Sequence, residues 1–182
     1  MNIKEYQALA QRTSTDDHDK LLNGCLGLMG EAGEVVDVIK KWMFQSGDNA
    51  PLPREKLIDE LGDVTWYCGE VCAGLESSVS FIYSTEYGNI GSRHTIDGLA
   101  ALLAAQAAKP WHAIYGEPLS PCGVERRREI ALDHVREILS LVDQMSRRLC
   151  SSLDEVMEKN IEKLRRRYPD GFDPKKSLHR AE

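Results

Sequence analysis

The sequence has few aromatic residues and lacks the long apolar runs that cross membranes. Of its 182 residues, 7% are aromatic. No stretch approaches the roughly 18 consecutive apolar residues that a transmembrane helix needs. The start of the chain, Met1 to Arg12, is interrupted by charged residues and does not resemble a secretory signal. We therefore expect a cytoplasmic protein with no membrane partner.

An even set of closely paired cysteines is lacking, which argues against two classes of small protein. The chain has five cysteines, an odd number, and no two of them form a Cys-x-x-Cys pair. This usage argues against a disulfide framework and against a zinc finger. Cys68 and Cys72 are four residues apart and would share one side of a helix, but two thiolates without a nearby histidine make a poor metal site. We expect reduced thiols, with Cys68 and Cys72 buried in the core.

An excess of positive charge is also lacking. The chain has 23 Lys and Arg against 29 Asp and Glu, a formal net charge of −6. A general electrostatic affinity for nucleic acid is therefore not expected. Positive charge is concentrated near the C-terminal end, because residues 147–180 contain ten Lys or Arg against six Asp or Glu. An acidic body with a basic tail suits a site that binds a metal ion and phosphate.

Strand-like alternation of apolar and polar residues is absent, and apolar residues instead recur at spacings of three and four. The sequence therefore predicts an all-α helical bundle that forms a single domain over residues 1–182. A segment rich in Ser, Gly and Tyr, residues 77–123, is interpreted as an insertion. Helices are expected at about 3–11, 54–75, 95–109 and 124–149. A long second helix is expected to begin at an N-cap among Ser14 to Asp17 and to end at about 45. The last helix is expected to begin with a capping box of Ser152 and Glu155 and to end at 167.

Two acidic pairs are the sharpest chemical signal in the sequence. Glu31 and Glu34 lie three residues apart in an apolar helix, and Glu60 and Asp63 repeat the spacing on the next one. Residues three apart share a helix face. If the two helices pack antiparallel, four carboxylates converge, and their pKa values rise unless a cation neutralises them. Oxygen ligands without His or Cys predict Mg²⁺ or Mn²⁺ rather than zinc or copper.

A solvated helix face and a di-iron centre are both less consistent with these acidic pairs. A single pair is most often a solvated face, but these pairs lie among apolar residues. A di-iron centre needs Glu-x-x-His pairs, and none of the five histidines has a glutamate three residues before it. A hard-metal site is the favoured interpretation, and the small residues around the pairs would let a backbone or ligand approach: Gly30, Ala32, Gly33 and Gly62.

The last predicted helix supplies positive charge. Lys159, Lys163 and either Arg166 or Arg167 would lie along one stripe of this helix. The planar guanidinium of arginine suits phosphate oxygens. A basic last turn also complements the helix dipole without any ligand. Beside a bound metal, the stripe would hold the oxygens of a polyphosphate.

Taken together, the two blocks resemble the MazG-like, all-α nucleoside triphosphate pyrophosphohydrolases, whose signature is an ExxE pair followed at a distance by ExxD. The matching residues are Glu31, Glu34, Glu60 and Asp63, and the tail from 159 to 172 is similar to the final helix of short bacterial and phage members. Those members join the ExxD helix almost directly to the last helix. This chain has 75 residues between Leu75 and Ser151, which could extend the bundle, cover the base as a lid or replace a dimer contact.

The resemblance implies attack of water on the α phosphorus of a nucleoside triphosphate, giving a nucleoside monophosphate and pyrophosphate. It implies that the cofactor is Mg²⁺, with Mn²⁺ as an alternative, and that Glu31, Glu34, Glu60 and Asp63 are its ligands. Either Glu31 or Glu34 is also expected to accept the proton of the attacking water.

The same resemblance implies that Asn160, Lys163 and Arg167 bind the phosphates and that Tyr67 lines the nucleotide pocket. It also implies a homodimer or homotetramer in which a neighbouring chain completes the site. Two alternatives stay open on sequence alone. One is a phosphoribosyl-ATP or dUTP pyrophosphatase of the same superfamily, and the other is a non-catalytic, oligomeric regulator that binds nucleotide.

Overall fold

The computed structural model describes residues 1, 3–14, 19–47, 49–79, 94–116 and 123–171. Within these ranges the chain is helical and has no strand, which confirms the all-α prediction. A short 3₁₀ helix, Gln11–Thr13, follows the first α-helix. The α-helices are α1 (Ile3–Ala10), α2 (Lys20–Gln45), α3 (Arg54–Gly74), α4 (Ile96–Ala107), α5 (Lys109–Tyr115), α6 (Val124–Arg148) and α7 (Leu153–Arg167).

The two helices that carry the acidic pairs, α2 and α3, pack against each other along most of their lengths. They run antiparallel, because Gly74 of α3 lies against Leu21 near the start of α2, and Gly24 lies against Val71 one turn further along. A Cβ at Gly74 would come within 2.6 Å of the Leu21 nitrogen, and one at Gly24 within 2.7 Å of the Val71 nitrogen. Glycine at these two positions therefore permits the close approach that sets the register of the pair.

The core is built from aliphatic side chains of the long helices. Helix α4 packs against α2 and α6, and α7 packs against α3 and α1. Side chains less than 2% exposed come from α1, α2, α3, α4, α6 and α7, for example Leu28, Leu61, Leu103, Ile138 and Met157. Complete burial of such a side chain contributes about 1.5–3 kcal/mol. The three- and four-residue apolar spacing in the sequence is thus the pattern of helices that each bury one face.

The described part of residues 77–123 contributes to this core. Leu99 and Leu103 of α4 are fully buried, and Pro110 and Ala113 of α5 are buried as well. Of the three roles considered for this segment, extension of the bundle therefore applies to α4 and α5. Residues 80–93 and 117–122 lie outside the described residues, and the interpretation of the whole segment as an insertion stays a prediction.

Helix boundaries agree with the sequence within a few residues, apart from the start of α2. The structure does not use Ser14 as its N-cap, and residues 15–18, which include the other candidates, lie outside the described residues. The N-cap is Asp19, whose side chain accepts a hydrogen bond from the Leu22 N–H at 3.0 Å. Asp19 is one residue before the first helical residue, so its carboxylate meets one of the N–H groups that lack a partner within the helix.

Proline and serine explain two other boundaries, the break between α4 and α5 and the start of α7. The predicted helix over 95–109 ends at Ala107, and a separate helix begins at Lys109 with Pro110 in its first turn, where the missing N–H of proline is tolerated. Ser152 caps α7 as predicted, since its side chain accepts a hydrogen bond from the Glu155 N–H at 3.1 Å.

Cys68 and Cys72 are buried, as the sequence predicted. Cys25, Cys68 and Cys72 are buried free thiols, and Cys150 is an exposed free thiol. Burial raises the pKa of Cys25 and of Cys72 to about 12, so both stay protonated at neutral pH. Cys122 lies outside the described residues. Among the helices of the described ranges, none is both long enough and apolar enough to span a bilayer.

Candidate active site

Three of the four predicted carboxylates meet between α2 and α3. One carboxylate oxygen from each of Glu31, Glu60 and Asp63 lies within 4.8 Å of the other two. The antiparallel register explains this meeting, because Gly24 faces Val71, and Glu31 and Asp63 are each about two turns from that contact. All three side chains are half-buried. We call these three residues the acidic cluster.

Glu34, the fourth predicted carboxylate, is not part of the acidic cluster. It lies on an exposed part of α2, three residues beyond Glu31. A three-residue step turns a helix by about 300°, so the two side chains are offset by about 60°. In this packing Glu31 points toward α3, whereas Glu34 is turned toward solvent. Its role as a metal ligand stays a prediction.

The electrostatics of the acidic cluster are those of crowded, partly dehydrated carboxylates. The pKa of Glu60 is raised, first by burial and then by the nearby charges of Asp63 and Asp59. Burial also raises the pKa of Asp63, although the charge of Lys163 works in the opposite direction. A bound divalent cation would favour the ionised carboxylates and so lower the pKa values of both Glu60 and Asp63. Three carboxylates without a His or Cys fit a hard ion such as Mg²⁺ or Mn²⁺.

Helix α7 brings two hydrogen-bond donors to Asp63. The Asn160 Nδ2 donates to Asp63 Oδ1 at 3.0 Å, and the Lys163 Nζ donates to Asp63 Oδ2 at 2.7 Å. Lys163 also forms an ion pair with Asp59 at 2.9 Å, and its side chain is only 12% exposed. The predicted basic helix therefore does lie beside the acidic pair of α3, at Asp63.

Asn160 lies deep in the protein, where α7 packs against α3. It is 2% exposed. Its Oδ1 accepts a hydrogen bond from the hydroxyl of Tyr6 at 2.9 Å, while its Nδ2 is engaged with Asp63. Both polar ends of the amide thus have partners inside the protein. In this arrangement Asn160 acts on the carboxylate of Asp63, and its predicted contact with phosphate stays untested.

The other residues of the basic stripe have different surroundings. Arg167 is exposed in the last turn of α7, and its charge is a minor influence that opposes the raised pKa of Asp63. Lys159 instead forms ion pairs with Glu55 and Glu155. Of the stripe, Lys163 therefore contacts the cluster, and Arg167 acts on Asp63 through its charge alone. Residue 172, at the end of the matching tail, lies outside the described residues.

Tyr67 lies on the seam between α2 and α3, one helical turn after Asp63. Its half-buried ring covers Gly27, because a Cβ at Gly27 would come within 2.1 Å of that ring. It also packs edge-to-face against Trp66, with ring centroids 4.9 Å apart. This location beside the acidic cluster is compatible with the predicted pocket-lining role.

Tyr6 is the residue at this site that sequence reasoning missed. It is fully buried on α1, and it reaches the cluster only through Asn160. A tyrosine on the apolar side of a helix does signal that its hydroxyl needs a buried partner. The identity of that partner, 154 residues away along the chain, could not be read from local spacing.

Comparison with known proteins agrees with this geometry. The family model described as the MazG nucleotide pyrophosphohydrolase domain matches residues 20–84, which include α2, α3 and all four predicted carboxylates. The chain is also 30% identical over 101 residues to the "Gene 37 protein" of Mycobacterium phage L5, a match that covers 51% of this chain and 89% of the phage protein. No solved structure matches the chain significantly. The chain therefore belongs to the MazG nucleotide pyrophosphohydrolase domain family.

Proposed function

We propose that this protein hydrolyses nucleoside triphosphates to nucleoside monophosphates and pyrophosphate in a reaction that depends on Mg²⁺. The observation that carries this proposal is the meeting of Glu31, Glu60 and Asp63 within 4.8 Å. Like charges at that distance destabilise one another, so the arrangement favours a divalent cation. Lys163, placed 2.7 Å from Asp63 on the neighbouring helix, adds a cation suited to phosphate.

Each residue has a distinct part in this proposal. Glu31, Glu60 and Asp63 hold the metal, which when bound supplies charge neutralisation for the polyphosphate and lowers the pKa of water. Lys163 and Arg167 bind polyphosphate oxygens from the α7 side. Tyr67 lines the nucleotide pocket on the α2–α3 seam. A role on cytoplasmic nucleotides is part of the same proposal.

The sequence left two candidates for the residue that accepts the proton of the attacking water. Glu31 belongs to the acidic cluster, whereas Glu34 is exposed one turn away. This difference favours Glu31 as a metal ligand and Glu34 as the base that accepts the proton of the attacking water. Glu34→Gln should then lower kcat while leaving the Kd for Mn²⁺ close to the wild-type value. Glu31→Gln should weaken Mn²⁺ binding itself, and a weakened Kd in both variants would make Glu34 a ligand.

The direct test of the activity is product analysis. The purified protein is incubated with canonical and deoxy nucleoside triphosphates, including dUTP, with and without Mg²⁺ or Mn²⁺. We expect monophosphate and pyrophosphate, formed only in the presence of the metal. Release of diphosphate and phosphate would contradict attack at the α phosphorus. No turnover of any nucleotide would support the non-catalytic regulator instead.

We further propose that the protein is a homodimer or homotetramer. The side of α2 away from the core carries Leu22 and Leu26, which are 36% and 54% exposed. The same side continues through Gly30 and Gly33, where an added Cβ would meet no described atom within 4 Å. A second copy could cover this side at close range. Light scattering should report an oligomer for the wild type and a smaller species for Leu26→Glu, and a monomeric wild type would refute the proposal.

A further inference from the structure

We propose that Tyr6 is a positioning residue of the metal site, which acts on Asp63 through Asn160. This inference rests on the proposed function, because it assumes that the acidic cluster binds a divalent cation. Tyr6 and Asn160 both lie outside residues 20–84, the segment that the family model matches. Contacts between α1, α7 and α3 connect Tyr6 to Asp63.

A chain of two hydrogen bonds connects the three helices. The Tyr6 hydroxyl on α1 donates to Asn160 Oδ1 on α7 at 2.9 Å, and Asn160 Nδ2 donates to Asp63 Oδ1 on α3 at 3.0 Å. A carboxylate accepts hydrogen bonds, so only the amide NH₂ of Asn160 can usefully face Asp63. The carbonyl end of the amide then needs a donor on its other side, and the hydroxyl of Tyr6 is that donor.

Burial makes the hydroxyl of Tyr6 difficult to replace. Tyr6 is 0% exposed and Asn160 is 2% exposed, so bulk water cannot supply the missing donor if the hydroxyl is removed. A buried acceptor that loses its partner keeps the full cost of its lost hydration. The backbone confines the amide as well, because Gly62 approaches so closely that a Cβ there would lie 3.0 Å from Asn160 Cβ. Asn160 is therefore held in one place by α3 on one side and Tyr6 on the other.

The two donors to Asp63 differ in how they affect a cation. Lys163 carries a positive charge, which opposes a metal ion approaching the same carboxylate. Asn160 is neutral and therefore orients Asp63 Oδ1 without this opposition. Partners that orient a metal ligand commonly change metal affinity by about 10- to 100-fold. Tyr6 acts one bond further away, so we expect an effect near the lower end of that range.

The test is Mn²⁺ binding by the full chain, which needs no substrate. Tyr6→Phe removes the hydroxyl and keeps the ring, and we expect it to raise the Kd for Mn²⁺ about 10-fold. Ser146→Ala is the matched control, since it also removes a fully buried hydroxyl, one that donates to the Asp143 carbonyl at 2.8 Å on α6. Ser146→Ala should lower the thermal midpoint but leave the Kd for Mn²⁺ unchanged. Circular dichroism of the metal-free variants checks that both remain folded.

A double-mutant cycle tests the route through Asn160. Asn160→Ala should weaken Mn²⁺ binding, and adding Tyr6→Phe to it should weaken binding no further. A full additional loss in the double variant would overturn the route through Asn160. Should Tyr6→Phe fail to fold, Asn160→Ala alone still tests the orientation of Asp63, and an unchanged Kd in that variant would overturn the inference.

The outcomes separate this inference from the proposed function. No Mn²⁺ binding by the wild type would remove the metal site and the inference together. Wild-type binding combined with an unchanged Kd in Tyr6→Phe would overturn the inference and leave the proposed metal site in place. A raised Kd in Tyr6→Phe with an unchanged Kd in Ser146→Ala is the result that supports it.

Discussion

Replacement of Glu60 by Gln should make the metal-free protein more stable while removing its response to metal. At 4.8 Å, the limit that encloses the acidic cluster, two unit charges repel by about 3.5 kcal/mol at an effective dielectric constant of about 20, and by about 1 kcal/mol in water. Glu60 is half-buried, and Lys163 offsets part of the charge of Asp63. We therefore expect a net gain of about 1–2 kcal/mol from the neutral amide, or about 2–8 °C in Tm.

Saturation with Mn²⁺ should reverse the order of stability. A ligand present at about 100 times its Kd stabilises the native state by about 2.7 kcal/mol, which would raise the Tm of the wild type by roughly 5–10 °C. Glu60→Gln keeps the shape of the side chain but loses the charge that the metal needs. The variant should therefore melt above the wild type without metal and below it with metal, and it should show no nucleotide hydrolysis.

The assay is thermal unfolding followed by circular dichroism, with EDTA or with Mn²⁺. Glu129→Gln on α6 is the control, since Glu129 is exposed and paired with Arg126 at 2.9 Å, away from the acidic cluster. Its melting curves should shift with Mn²⁺ as those of the wild type do. A metal-free Glu60→Gln protein that melts below the wild type would refute the electrostatic reasoning. Near-normal turnover by this variant would refute the metal site.

Three further results are expected. The raised pKa values of Glu60 and Asp63 mean that the native state holds protons which the unfolded state releases. The contribution of these two carboxyls to the stability of the metal-free protein should therefore be fully present below their unfolded-state pKa values and be lost as pH rises through the raised ones. Melting curves of wild type and Glu60→Gln whose difference stays constant between mildly acidic and neutral pH would contradict the raised pKa of Glu60. In a steady-state assay, Lys163→Ala should raise KM about 10-fold or more, because it removes a phosphate-binding charge. Lys159→Ala is the control, since it only breaks ion pairs to Glu55 and Glu155, and it should leave KM unchanged. Arg54→Ala should lower Tm, because the Arg54 guanidinium donates to the Leu149 carbonyl at 2.6 Å and to Glu155 at 3.2 Å and so joins α3 to the residues around the start of α7. Arg54→Lys should restore only part of the lost Tm, since an ammonium lacks the planar fork of a guanidinium.

Much of the fold could be predicted because helix periodicity is a local property. The apolar spacing located the long helices, and Ser152 located the start of α7. The meeting of Glu31 with Asp63 was also accessible, since two consecutive helices that carry similar acidic pairs need only pack antiparallel to bring those pairs together. These predictions combine a periodicity with one simple packing rule.

The parts that could not be predicted depend on contacts between distant segments. A spacing of three residues says that Glu31 and Glu34 share a face, but the angle of α2 against α3 decides which of them points inward. The cap at Asp19 depends on where the helix begins, and sequences with several acceptors before a helix leave that open. The buried role of Asn160 depends on a tyrosine 154 residues away, for which no local pattern exists.

The acidic cluster persists because core packing outweighs its repulsion. Glu60 and Asp63 lie on the same helix as Leu57, Leu61 and Val64, each of which is 0% exposed. Rotation of α3 to separate the carboxylates would bring these side chains toward water, at about 1.5–3 kcal/mol for each one fully exposed. That total exceeds the repulsion of about 1–2 kcal/mol estimated for Glu60 from Coulomb's law. The helix therefore holds the carboxylates together before any cation arrives, so binding a metal needs little reorganisation and relieves the repulsion that the packing has maintained.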